Sequence, residues 1–159
     1  MSVSTIRDMK ADLKTRFNAD ADLVTESGQR IQVSRGNPHP TRSEEEQILI
    51  GPVTQTELPA GLGNNGIEET YTIDIIISVQ RPVRELYETL EDRAFVIGGH
   101  IEESMVDWRS ESPVFNGLEG WIQVSAIETQ ESLLTNEAGT QVTGREASLA
   151  ITFSVVARK

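Results

Sequence analysis

Apolar residues recur along the chain at two spacings, and these divide it into elements. Ile6, Met9, Leu13 and Phe17 fall three or four residues apart, the stripe of a short amphipathic helix, and Thr5 and Asp8 have the spacing of a capping box at its start. Residues 18–28 are polar and turn-rich. Over 30–35 the spacing becomes two, with Ile31 and Val33 on one face of a first strand. Gly36, Asn37, Pro38 and Pro40 then break regular structure. Glu44, Glu45 and Glu46 form an acidic tract expected to be exposed, and the run Ile48, Leu49, Ile50 predicts a second strand.

Residues 51–69 hold Pro52, Pro59, Gly61, Gly63 and Gly66 without a sustained period, which predicts a long flexible loop at about 52–68. The clearest alternation follows. Tyr71, Ile73, Ile75, Ile77 and Val79 share one side of a strand, and Thr70, Thr72, Asp74, Ser78 and Gln80 the other, where Ile76 alone is apolar. Arg81-Pro82 ends that strand. Pro82 suits the first turn of a helix, where its missing N–H is not needed, and Val83, Leu86, Tyr87, Leu90, Ala94, Ile97 and Ile101 mark one helical face. Gly98-Gly99, at about 1 kcal/mol each relative to alanine, predicts a kink or an end there. Beyond a loop over 106–119, Ile122, Val124 and Ala126 mark a strand over 121–128, and Ala147, Leu149, Ile151, Phe153 and Val155 mark the last. The short polar link between these two makes them an antiparallel pair.

This order predicts an α+β fold: a mostly antiparallel sheet of four to five strands, with an N-terminal helix and one long helix packed on one face. A length of 159 residues suits a single domain over 1–159. A hydrophobic share of 37% is lean for a monomer that must bury everything by itself, and points to stability drawn from neighbours.

Composition removes most chemistry. The absence of cysteine excludes disulfides, thiolate metal sites and cysteine nucleophiles. His39, between two prolines, and His100, after two glycines, lack a second histidine at i+3 or i+4. They read as a loop residue and a helix-end residue, so no metal is expected. Glu68-Glu69 and Glu102-Glu103, like the acidic tract, read as solvated surface charge rather than a tuned acid and base. The segment 61–66 is glycine-rich but lacks the lysine of a phosphate loop, and no G-x-S-x-G elbow occurs. No cofactor and no catalysis are expected. A formal charge of −11 repels nucleic-acid phosphates. Apolar runs fall far short of the roughly 20 residues of a membrane helix, so no membrane is expected either. Residues 1–10 carry charges of both signs and no apolar core, unlike a secretory signal, which predicts a cytoplasmic start.

Two segments carry a resemblance. Tyr71-Thr72-Ile73-Asp74-Ile75-Ile76-Ile77-Ser78-Val79 and Leu86-Tyr87-Glu88-Thr89-Leu90-Glu91-Asp92-Arg93-Ala94-Phe95 are similar to the strand and helix of tail terminator proteins of long-tailed bacteriophages, especially those of actinobacterial hosts. The closing stretch, Thr143-Gly144-Arg145-Glu146-Ala147-Ser148 through Ala157-Arg158-Lys159, resembles them too. Element order matches over nearly the whole chain, with a departure at Gly98-Gly99. The resemblance implies a homo-hexameric ring at the head-proximal end of the virion tail, assembled in the host cytoplasm. Such a ring caps the tube, stops its polymerisation and presents the head-joining surface.

Its implied partners are further copies of the chain, the major tail tube protein and a neck or head-completion protein, with DNA only as cargo. Six copies would carry 6 × −11 = −66 formal charges, so an acidic lumen would let DNA pass without adhering. The candidates for subunit or tube contact are Glu57, Asn64, Asn65 and Glu68 in the long loop, Asp74 on the central strand, and Trp108, Arg109 and Phe115 after the second helix. Trp121 is a further aromatic flanking that region. A neck or head-closure adaptor is the rival within assembly. A small-ligand module using 61–66 is the rival outside it.

Overall fold

The computed structural model describes residues 5–36, 45–55, 60–62, 66–110 and 119–158. Its elements are α1 (Thr5–Ala19), β1 (Gln32–Arg35), β2 (Glu46–Gln55), β3 (Ala60–Leu62), β4 (Gly66–Arg81), α2 (Tyr87–Ser110), β5 (Glu119–Thr135) and β6 (Val142–Arg158). The sheet runs β1-β2-β4-β6-β5, with β3 paired to β4 beside that path. Among the described residues, only β1 with β2 is parallel. This is the α+β arrangement that the hydrophobic pattern predicts, including the closing antiparallel pair.

Register turns the alternation of single strands into a core. Tyr71, Ile73, Ile75, Ile77 and Val79 of β4 lie beside Val155, Phe153, Ile151, Leu149 and Ala147 of β6, while Ile75 and Ile77 also face Ile50 and Ile48 of β2. Three strands thereby present one continuous apolar surface. Leu90, Ala94, Ile97, Ile101 and Met105 of α2 and Met9, Leu13 and Phe17 of α1 close over it, and all are buried. Each such side chain contributes about 1.5–3 kcal/mol on leaving water.

The structure differs from the sequence pattern in three places. Much of the segment expected to be a loop is strand: β2 continues to Gln55, β4 begins at Gly66, and β3 pairs Ala60 with Glu68. These arms are held by main-chain ladders, which side-chain periodicity does not report. The second helix starts at Tyr87 rather than at Pro82. Residues 82–86 form a connecting turn in which the Glu85 N–H donates to the Pro82 carbonyl, and Val83 and Leu86 stay exposed. Nor does the helix end at Gly98-Gly99. It runs through both to Ser110, and a Cβ on Gly98 would lie 2.8 Å from Leu149 Cδ2, so the glycine lets helix and sheet approach closely.

Candidate interaction surfaces

On the face of the sheet opposite the helices, polar groups of β4 and β6 are paired across the two strands. Gln80 faces Glu146, Ser78 faces Ser148 and Asp74 faces Thr152 in register. Glu146 Oε2 accepts hydrogen bonds from Ser78 Oγ at 2.9 Å and Gln80 Nε2 at 2.8 Å, and its Oε1 accepts from Ser148 Oγ at 3.2 Å. Thr152 Oγ1 donates to Asp74 Oδ1 at 2.7 Å. The result is a fixed, hydroxyl-lined surface carrying two carboxylates. It can hold water or polar partner groups.

Two acids read as surface charge are interior. Glu46 is 2% exposed: its Oε1 accepts from Arg81 Nη2 at 2.6 Å and Arg93 Nε at 3.0 Å, and its Oε2 accepts from Arg93 Nη2 at 2.9 Å. Burial pushes its carboxyl up, but the hydrogen bonds and charges of Arg93 and Arg81 outweigh that and hold it below the usual carboxylate range. Arg93 also donates to the Val24 carbonyl at 2.7 Å, so one residue ties α2 to β2 and to the turn after α1. Glu69 is 3% exposed and receives the backbone N–H and the hydroxyl of Thr5. The signal was present in the pattern. Glu46 is in step with Ile48 and Ile50, and Glu69 with Tyr71 and Ile73, so the period of two places both on the core face.

The expected contact residues do not converge. Asp74 lies on the polar face with Thr152, and Glu68 pairs on β4 with Arg158 Nε at 2.6 Å. Trp108 and Arg109 belong to the last turn of α2 rather than to a loop, and Trp121 to β5. Glu57, Asn64, Asn65 and Phe115 lie outside the described residues, as does His39. His100 is in the middle of α2, not at its end, with Nδ1 3.9 Å from Glu103. Among the described residues, no group of three or more His, Asp or Glu side chains could hold a metal ion. Nor is any described helix long and apolar enough to cross a membrane.

Two depressions flank the sheet. One, of about 850 Å³, is polar, and its Glu26, Glu45, Glu46 and Arg81 side chains are committed to one another. The other, of about 700 Å³ at the β1–β2 edge, has an apolar floor of Leu49, Pro52 and Ile76 with Lys10 and Arg35 on its rim. At the opposite edge β5 pairs only with β6, and Val124 and Ile127 are 40% and 50% exposed.

No protein-family profile matches the chain, and no curated protein sequence does. Its fold is similar to that of a chain in the virion of a native gene transfer agent particle. The TM-score is 0.61 at 13% identity, over 99% of this chain and 100% of that one. The likeness is one of fold: an α+β domain matched from end to end.

Proposed function

We propose that the chain is a structural subunit of a phage-type virion and, within it, the tail terminator. In this reading six copies form a ring at the head-proximal end of the tail. The ring caps the tube, halts its growth and offers a joining surface to a neck or head-completion protein. The observation that carries the reading is the match to a virion chain over 99% of this chain and 100% of that one. The resemblance of the central strand and helix to tail terminators supports the finer assignment. The role is structural rather than catalytic, in keeping with carboxylates that are spent on hydroxyls and arginines. A charge of −11 per copy suits a ring through which DNA passes as cargo.

The test is polymerisation of the tail tube protein encoded beside this chain, with and without the chain present. Arrest of growth, with the chain at one tube end in electron micrographs, is the expected result. Binding to the head connector but not to tubes would make it a neck adaptor instead. Binding to neither sinks the reading.

A further inference from the structure

Charge and exposed apolar surface divide between the two edges of the sheet. Residues 119–141, comprising β5 and its turn, carry Glu119, Glu128, Glu131 and Glu137 and no Lys or Arg. Residues 5–36, comprising α1 and β1, carry six Lys and Arg against five Asp and Glu in a chain whose total is −11. Since β1 and β5 are the two ends of a five-strand path, these flanks are about 19 Å apart at about 4.8 Å per strand. Unlike surfaces are therefore separated within one copy and brought together between two copies translated head to tail.

The β5 edge is long and leaves apolar side chains exposed beside its glutamates. Natural edge strands are blunted by charged side chains, lysine above all, by proline, by bulges or by shortness. β5 is 17 residues long and has neither Lys nor Pro, and its register with β6 shifts between Val124 and Ala126 and between Leu134 and Thr135. Val124 and Ile127 register with Phe153 and Ile151, on the face that α2 covers, yet both remain exposed. α2 packs against β5 as well as β4 and β6, and Tyr87 and Glu91 lie one turn apart on it. Phe95, one turn beyond Glu91 on the same flank, is 46% exposed. An apolar strip edged by carboxylates results. The groove at the opposite edge is its counterpart: an apolar floor of Leu49, Pro52 and Ile76 with Lys10 and Arg35 on its rim.

We propose that β5, with the adjoining flank of α2, docks into the Lys10–Arg35 groove of a second copy, in a heterologous head-to-tail contact that repeats around a ring. A contact between two different patches closes a cyclic assembly when its rotation permits, whereas two β5 edges meeting each other would stop at a dimer and would set Glu128 and Glu131 against their own copies. The inference rests on the ring reading above for its closure, and on this charge and apolar complementarity for its location.

Because the chain has no cysteine, introduced ones report the contact directly. Full-length protein carrying Ile127→Cys and Leu49→Cys, treated with a short bismaleimide, should give a ladder beyond dimer, and neither single variant should. Dimer from Ile127→Cys alone, or monomer throughout, overturns the proposal. Charge reversal gives a second measurement. Glu128→Lys with Glu131→Lys, and separately Lys10→Glu with Arg35→Glu, should each weaken association at least tenfold in sedimentation, and an equimolar mixture of the two should restore it. No restoration likewise overturns the contact. A ladder without tube binding would leave the contact standing and sink the terminator reading; tube binding without a ladder would do the reverse.

Discussion

Thr5 and Glu69 are 64 residues apart in sequence and joined in the core: the Thr5 backbone N–H donates to Glu69 Oε2 at 2.6 Å, and the Thr5 hydroxyl donates to the same oxygen. A carboxylate from β4 thus meets the first turn of α1, where free amides and the helix dipole favour negative charge. A hydrogen bond from a buried charged group is worth about 1.5–3 kcal/mol. Glu69→Ala should therefore lower the unfolding free energy by about 2–3 kcal/mol, with Glu69→Gln closer to 1 because an amide oxygen still accepts. Urea denaturation measures both. An unchanged midpoint for the alanine variant would remove the tie between α1 and the sheet.

Glu46 gives a pH signature. Its carboxyl titrates below the ordinary value of 4.5 in the folded chain, so its contribution to stability is present above that value and is lost as the pH falls through the lowered one. Glu46→Gln leaves Arg81 and Arg93 without their shared anion and should cost about 3 kcal/mol at neutral pH. The gap in thermal midpoint between wild type and variant should narrow steadily as acid is added below pH 4.5. A gap independent of pH would mean that the arginines do not hold the anion.

Gly98 and Gly99 separate packing from propensity. Gly99 has no atom within 4 Å of an added Cβ, so Gly99→Ala should stabilise by up to about 1 kcal/mol. Gly98→Ala gains the same propensity but places a methyl 2.8 Å from Leu149 Cδ2 and near Ile151 and Ile77, at an overpacking cost of about 1–3 kcal/mol. Thermal melts should rank Gly99→Ala above wild type and Gly98→Ala at or below it. Equal stabilisation by both would refute the close approach of helix and sheet.

Tyr71 should be silent through the ordinary tyrosine range. Burial raises its phenol to about 12, with a smaller opposing effect from Thr5 and a further push upward from the Glu69 charge. Ultraviolet titration should thus show no Tyr71 phenolate at pH 10, and stability should fall as the pH rises from about 10 through about 12, where the unfolded chain ionises first. Among the described residues the buried Tyr71 hydroxyl makes no well-formed hydrogen bond, Thr5 acting on it only weakly, so Tyr71→Phe should cost less than about 0.5 kcal/mol or stabilise slightly. A loss above about 1 kcal/mol would show that the hydroxyl has an anchor.

The periods in the sequence determined which segments are strands and helices and which side of each is buried. Alternation over 71–79 and 147–155, and the stripes at 9, 13, 17 and at 90, 94, 97, 101, are one-dimensional records of contact with a single core, because side chains repeat every 2 and 3.6 residues. Even Glu46 and Glu69 obey those periods. What periodicity does not carry is the identity of the partner. Whether an acid on the core face is tolerable depends on Arg93 arriving from α2, or on the amide of Thr5 arriving from α1, and both come from distant sequence. Residues 52–55, 60–62 and 66–68 are strand because backbone groups meet across the ladder, and Gly98 is permissive or required according to what lies opposite it. The acidic run over 119–141 is visible in the sequence; its placement at the sheet edge opposite Lys10 and Arg35 follows only from the order β1-β2-β4-β6-β5.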